Sequence, residues 1–331
     1  MMVFLLSGTN FSSPNINTLF LVSGSSSSSE ISYWGYQLQN VDLQEFKESN
    51  FEIIVTDYSQ DGSNDTTWST DELNMVKEAG KILVSYISIG EAEDYRYYWQ
   101  SSWLSGSKPT WLGDENPEWQ GNYKVKYWEK GWQDIVYNYL DIIISQGFNG
   151  VYLDIIDAYE YYLDQGISNA RNLMIDFVHN IFNFTRTKSG SDFLIIPQNG
   201  EGLLNDSNYR SFISGIGIED LFYQNDGSKN SQSDIEQREQ FLDLLVNDDK
   251  FVLTVDYVKD TSKQADVYSS SRSKRYIPYT TDVALDTLTP PLLASGNSSN
   301  SSSSSINGFE YFVIIPSFIV LVNIHFWRKR K

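Results

Sequence analysis

The chain has 331 residues, of which 40% are hydrophobic and 15% aromatic, enough for a sizeable core in one large domain or two ordinary ones. Its 43 acidic residues against 24 Lys and Arg give a net charge of -19, which argues against a protein built to neutralise nucleic-acid phosphates. With no cysteine and only His179 and His325, disulfides, thiolate metal sites and nearly every histidine-based scheme are excluded, so any proton transfer falls to carboxylates.

In chain order, residues 1–29 hold two short apolar runs, MMVFLL and LFLVSG, with no Lys or Arg before Lys47, and end in serines. This reads as an atypical or truncated export signal followed by a flexible spacer. A folded body is expected over 30–290. ISYWGYQLQ, at 31–39, is the first expected strand and carries Tyr36; a helix at 42–49 follows. FEIIVTDY is the second strand and ends in Asp57. Ser69 with Glu72 three residues on predicts a capping box, opening a helix that Gly80 closes. KILVSYISIG is the third strand, with Tyr86 inside it and Glu91 and Glu93 just beyond.

A long insertion at 92–128 holds Trp99, Trp103, Trp111, Trp119 and Trp128; segments this long inside a compact domain are usually functional. A helix at 129–146 leads into GFNGVYLDIID, the fourth strand, whose apolar run gives out at Asp154 with Asp157 behind it. A helix at 167–188, the strand FLIIPQNG with Asn199 and Glu201 after it, a helix at 203–212 and the strand GIGIEDLFY with Glu219 come next. Ser233 is read as the cap of a helix reaching about Asn247. FVLTVDYV with Asp256, a helix at 260–273 and RYIPYTTD complete the body.

Beyond it, a Ser/Asn-rich linker at 291–308 precedes the apolar stretch FEYFVIIPSFIVLVNIHFW at 309–327 and a basic tail, RKRK, at 328–331. A stretch of that length spans a bilayer core of ~30 Å as a helix, and the basic cluster marks its cytoplasmic side. The sequence therefore predicts a body outside the cell, anchored in the membrane by a C-terminal transmembrane helix.

Eight strands alternating with helices predict an α/β fold, a (β/α)8 TIM barrel with a Trp-rich insertion after its third strand. An open doubly wound sheet is the competing arrangement, although no glycine-rich phosphate loop follows the first strand. In a barrel, Asp57, Glu91, Glu93, Asp154, Asp157, Asn199, Glu201, Glu219 and Asp256 all fall at strand ends on one face, where loops converge on a site. Paired acids can protonate a leaving oxygen and attack, or activate water, across an oxocarbenium-like state, while aromatic faces stack on sugar rings. Asp154 and Glu219 are the favoured pair. Asp57, Tyr86, Glu91, Glu93, Tyr36, Asp157, Asn199, Glu201 and Trp128 are candidates to bind substrate. Ordinary readings compete: a strand-end acid can be a salt bridge, Asp157 a helix cap, Asp94 and Arg96 an ion pair, and the tryptophans a satellite core. DYSQDGSND at 57–65 has the outline of a calcium loop, but Trp68 stands where a bidentate Glu is needed, so no metal is expected.

Several segments together, WGYQLQN, VSYISIGEAEDYR, YWEKGW, GFNGVYLDIIDAY, PQNGE and IEDLFY, resemble the endo-α-1,4-polygalactosaminidase family, glycoside hydrolase family 114, over most of 33–282. The resemblance implies a TIM barrel that cleaves α-1,4-linked galactosamine or N-acetylgalactosamine polymers with an acid pair and no cofactor. It carries the fourth-strand acid onto Asp154 and the sixth-strand acid onto Glu219, and sets Asp57, Glu93 and Tyr86 along the cleft. Fungal members have a Ser-Tyr-Glu type pattern where this chain has Glu91, Ala92 and Glu93, so Glu91 departs from the pattern. A non-catalytic carbohydrate-binding barrel at the cell surface is the rival class; it would keep the aromatic insertion and dispense with the acid pair.

Overall fold

In the computed structural model, which describes residues 31–293, every expected strand of the body forms where a short apolar run meets a turn. β1 (Trp34–Tyr36) leads through Asp42, whose side chain accepts the Gln44 N–H, into α1 (Leu43–Glu48) and then β2 (Ile53–Thr56). α2 (Thr70–Lys77) opens on the expected capping box: Ser69 accepts the Glu72 N–H, and Glu72 accepts the Ser69 N–H at 2.8 Å. β3 (Ile82–Ser88) follows. The insertion then forms its own antiparallel sheet from β4 (Glu91–Glu93), β5 (Leu112–Glu115) and β6 (Asn122–Val125), with β6 in the middle.

α3 (Lys130–Gln146) ends at Gly147, whose φ of 96° is the left-handed turn that lets the chain double back into β7 (Gly150–Asp154). A short helix absent from the sequence reading, α4 (Ala158–Asp164), precedes α5 (Ala170–Ser189) and β8 (Leu194–Pro197). Then come α6 (Ser207–Phe212), β9 (Gly215–Glu219), α7 (Gln232–Asn247), β10 (Phe251–Asp256), α8 (Thr261–Ser273) and β11 (Ile277–Thr280). The cap of α7 is Ser231 rather than Ser233: its hydroxyl accepts the Asp234 N–H at 3.2 Å.

Parallel pairing runs β1-β2-β3-β7-β8 and β9-β10-β11. A bridge between Gln198 and Gly217, with the Asn199 N–H donating to the Gly217 carbonyl at 2.8 Å, joins β8 to β9. On the other side Trp34 of β1 packs against Tyr279 of β11, ring centroids 5.7 Å apart, and its indole N–H donates to the Thr254 carbonyl. Eight parallel strands thus close into a TIM-barrel-like fold, and the open sheet is set aside.

The centre is aromatic where branched aliphatics usually dominate. Trp34, Tyr36, Tyr152 and Tyr279 are buried there, with Tyr36 and Tyr152 centroids 5.3 Å apart. This filling explains a glycine in β9: a Cβ on Gly217 would fall 1.9 Å from the Tyr152 hydroxyl. Most tryptophans of the insertion form a satellite core, Trp99 on Trp103, Trp103 on Trp111 and Trp111 on Trp132, at centroid distances of 5.0–5.2 Å.

The terminal segments, including the expected signal, most of the linker and the expected span at 309–327, lie outside the described residues. Among the described residues no helix is long and apolar enough to cross a membrane.

Candidate active site

Asp154 is the last residue of β7, in register with Ser88 of β3, and Tyr152 is likewise level with Tyr86. Side chains two apart on a strand share a face, so Tyr86 and Asp154 point the same way. The Tyr86 hydroxyl donates to Asp154 Oδ2 at 2.7 Å, and the Ile155 N–H donates to Oδ1 at 2.7 Å. That second bond comes with backbone strain, since Ile155 is β-branched and has φ 57°. Gly90 makes room for the turn: a Cβ there would meet the Ile155 carbonyl oxygen at 2.1 Å.

Glu219 ends β9, level with Val255 of β10, and Tyr257 two residues further shares the face of Val255. The Tyr257 hydroxyl donates to Glu219 Oε1, and the Asn199 amide donates to Oε2 at 3.0 Å. Asn199 itself takes a left-handed φ of 58°, and its Oδ1 accepts the Glu219 N–H at 3.0 Å, a two-way clasp that fixes the carboxylate. Arg238 donates to the carbonyls of Glu219 and Asp220, tying down the strand end from α7.

Both carboxylates open on one narrow cavity of about 60 Å³, whose walls include Tyr36, Tyr86, Tyr95, Tyr257 and Trp119. Their exposures, 7% for Asp154 and 6% for Glu219, set them in a low-dielectric site where charge–charge effects are strong. Burial raises the Tyr36 and Tyr152 hydroxyls well above the ordinary tyrosine range, and the charges of Asp154 and Glu219 add to it. These hydroxyls therefore stay protonated. Tyr86 is raised in the same way, by burial first and Asp154 second, and stays a hydrogen-bond donor.

The remaining sequence candidates divide. Tyr36 and Glu93 reach the cavity. Asp57 does not line it: both its carboxylate oxygens are bound by Arg96 Nη1, at 2.7 and 2.9 Å. Arg96 also donates through Nε to Glu93 at 2.7 Å, so it pairs with Asp57 and Glu93, not with Asp94. Four tyrosine rings surround its guanidinium, Tyr95 nearest at 4.8 Å. Although burial disfavours its charge, Asp57 and Glu93 outweigh that and push its pKa well above the usual arginine value.

Glu91 points into the insertion instead, where Asn116 donates to it at 2.9 Å and Lys124 lies at 3.4 Å; it anchors the small sheet. Glu201 pairs with Arg238, which in turn donates to the Glu219 carbonyl. Asn199 is a positioning group and Asp157 stands at the N-cap position of α4, both lining a neighbouring cavity. Trp128 packs edge-on against Tyr127 and Tyr162, away from the acids; the tryptophan at the cavity is Trp119. Sequence reasoning also missed Tyr257, for which the only signal was its spacing two residues beyond the end of an expected strand.

A parallel barrel whose mouth joins a carboxylate pair to a ring of aromatic side chains defines a carbohydrate-active hydrolase of the (β/α)8 class. Within that class, the chain belongs to glycoside-hydrolase family GH114, whose family model matches residues 22–292. Uncharacterised proteins of Methanocaldococcus jannaschii and Thermotoga maritima are 45% and 41% identical to it, over 74% and 76% of this chain and 74% and 82% of theirs. In fold it is similar to the glycoside hydrolase domain of PelA from Pseudomonas aeruginosa, at a TM-score of 0.61 and 16% identity over 77% of this chain and 96% of that one. It is also similar to Aspergillus fumigatus Ega3 in complex with galactosamine, at a TM-score of 0.59 and 15% identity over 77% and 93%.

Proposed function

We propose that this protein is an endo-acting hydrolase of α-1,4-linked galactosamine or N-acetylgalactosamine-type polysaccharide, with Asp154 as nucleophile or base and Glu219 as acid/base. The observation that carries the reading is the shared cavity: both buried carboxylates open on one aromatic-walled slot, each held by a tyrosine hydroxyl and a backbone or amide N–H. A protonated Glu219 can give its proton to the leaving glycosidic oxygen, while Asp154 stabilises or captures the oxocarbenium-like carbon. Glu93 adds a third carboxylate to the slot, which suits a sugar bearing a protonated amine. The galactosamine named with Ega3 supports the same substrate class.

Reducing-end release from aminated and N-acetylated galactosamine polymers tests this directly. Asp154→Asn and Glu219→Gln are each expected to lower kcat on the order of 10³-fold with an unchanged melting temperature. Polymer cleavage that survives both substitutions would remove the pair from the mechanism. The anomer first released, followed by NMR, assigns retention or inversion.

A further inference from the structure

A second cavity, of about 470 Å³, opens beside the catalytic slot and shares with it the Trp119 ring and the turn at Ile155. Its outer wall is Tyr161 of α4, an aromatic side chain that is 37% exposed. Tyr161 is held in place rather than loose: Lys124 lies 4.4 Å from its ring centroid and is itself paired with the buried Glu91. The lining also includes the amide groups of Asn116, Asn199 and Asn225 and the carboxylates of Glu118, Asp157 and Glu160.

Two aromatic walls with amides and carboxylates between them match the two surfaces of a pyranose, whose C–H face stacks on rings and whose hydroxyl edge needs donors and acceptors. The catalytic slot is far smaller, and a polymer that enters it must continue somewhere. We infer that this second cavity is a further sugar subsite, holding an amino-sugar unit of the same chain next to the unit in the slot, with Trp119 as the wall between them. The inference rests on the reading of the slot as a glycosidase site. It also accounts for Glu91, which takes no place at the slot: through Lys124 it orients Tyr161.

Calorimetric binding of galactosamine oligomers of increasing length to the Asp154→Asn chain provides the test, alongside reducing-end assays on the unaltered protein. Affinity is expected to rise when the oligomer grows past a single unit. Tyr161→Ala is expected to cut oligomer affinity about tenfold, roughly 1.4 kcal/mol, and to abolish most of that gain with length. Asn225→Ala, at an exposed position, should act in the same direction, and unchanged melting temperatures of both variants separate lost contacts from lost folding. An identical gain with length in the Tyr161→Ala and Asn225→Ala chains would overturn the subsite while leaving hydrolysis by the unaltered protein intact. Tyr161-dependent binding in a protein that cleaves none of the oligomers would instead uphold the subsite and remove the hydrolytic reading.

Discussion

The mouth of the barrel treats its carboxylates in two ways. On the β2–β3 side, Asp57 and Glu93 share one buried guanidinium, Arg96, caged by four tyrosines. On the β7–β10 side, Asp154 and Glu219 are bound by tyrosine hydroxyls, an amide and a backbone N–H. The same residue type at the same kind of position thus does two jobs, decided by its partner. Arg96 makes its two carboxylates part of the frame, although burial still raises the Asp57 carboxyl above its ordinary range against the pull of that guanidinium. On the other side, tyrosine hydroxyls, an amide and a backbone N–H fix the direction in which each carboxylate faces the cavity.

The largest expected effect tests the framing side. Arg96→Met leaves two buried carboxylates without their cation and is expected to cost about 3–5 kcal/mol in denaturant unfolding. A loss below about 1 kcal/mol would mean that these carboxylates are solvated and the contrast between the two sides is false.

A smaller effect belongs to Asp256, at the end of β10 on the other side. One of its oxygens accepts the N–H groups of Phe222 and Tyr223, just past Glu219, and its other oxygen is buried without a protein partner. Burial raises this carboxyl from 3.8 to about 6, against the pull of those N–H groups. Between those pH values the folded chain keeps a proton that the unfolded chain releases, so Asp256 favours folding most below about pH 4 and progressively less as pH rises through about 6. The difference is on the order of 3 kcal/mol. Thermal unfolding of the unaltered chain and Asp256→Asn at pH 4 and pH 8 reads it: the substitution should cost more at pH 4 than at pH 8, and equal costs would contradict the assignment.

The smallest expected effect sharpens the hydroxyl side. Tyr257→Phe removes the donor on Glu219 Oε1 and is expected to lower kcat about tenfold, near 1.4 kcal/mol, with KM and melting temperature unchanged. A lowered kcat accompanied by an equal loss of melting temperature would make Tyr257 a packing residue only.

What the sequence made legible is local. Apolar runs ended by turns located all eight barrel strands, Ser69 and Glu72 announced α2, and the strand-end rule put Asp154 and Glu219 on one face. What stayed hidden depends on contacts distant in sequence: Arg96 meets Asp57 across 39 positions, Tyr257 meets Glu219 across 38, and no spacing rule distinguishes an acid that will find an arginine from one that will find a tyrosine. The tryptophans failed for a related reason. Trp119 lies between β5 and β6 and lines the slot, whereas Trp128 lies beyond β6 against Tyr162, a difference that composition alone does not announce. At α7, Ser231 and Ser233 each have an acid three residues on, so the capping pattern alone could not choose between them. α4 is too short for its periodicity to stand out.

The aromatic filling of the barrel bears on traffic as well as on stability. With Trp34, Tyr36, Tyr152 and Tyr279 packed across the axis, the slot has a solid floor. On the proposed reading, whatever enters the slot from the mouth has to leave by the mouth as well.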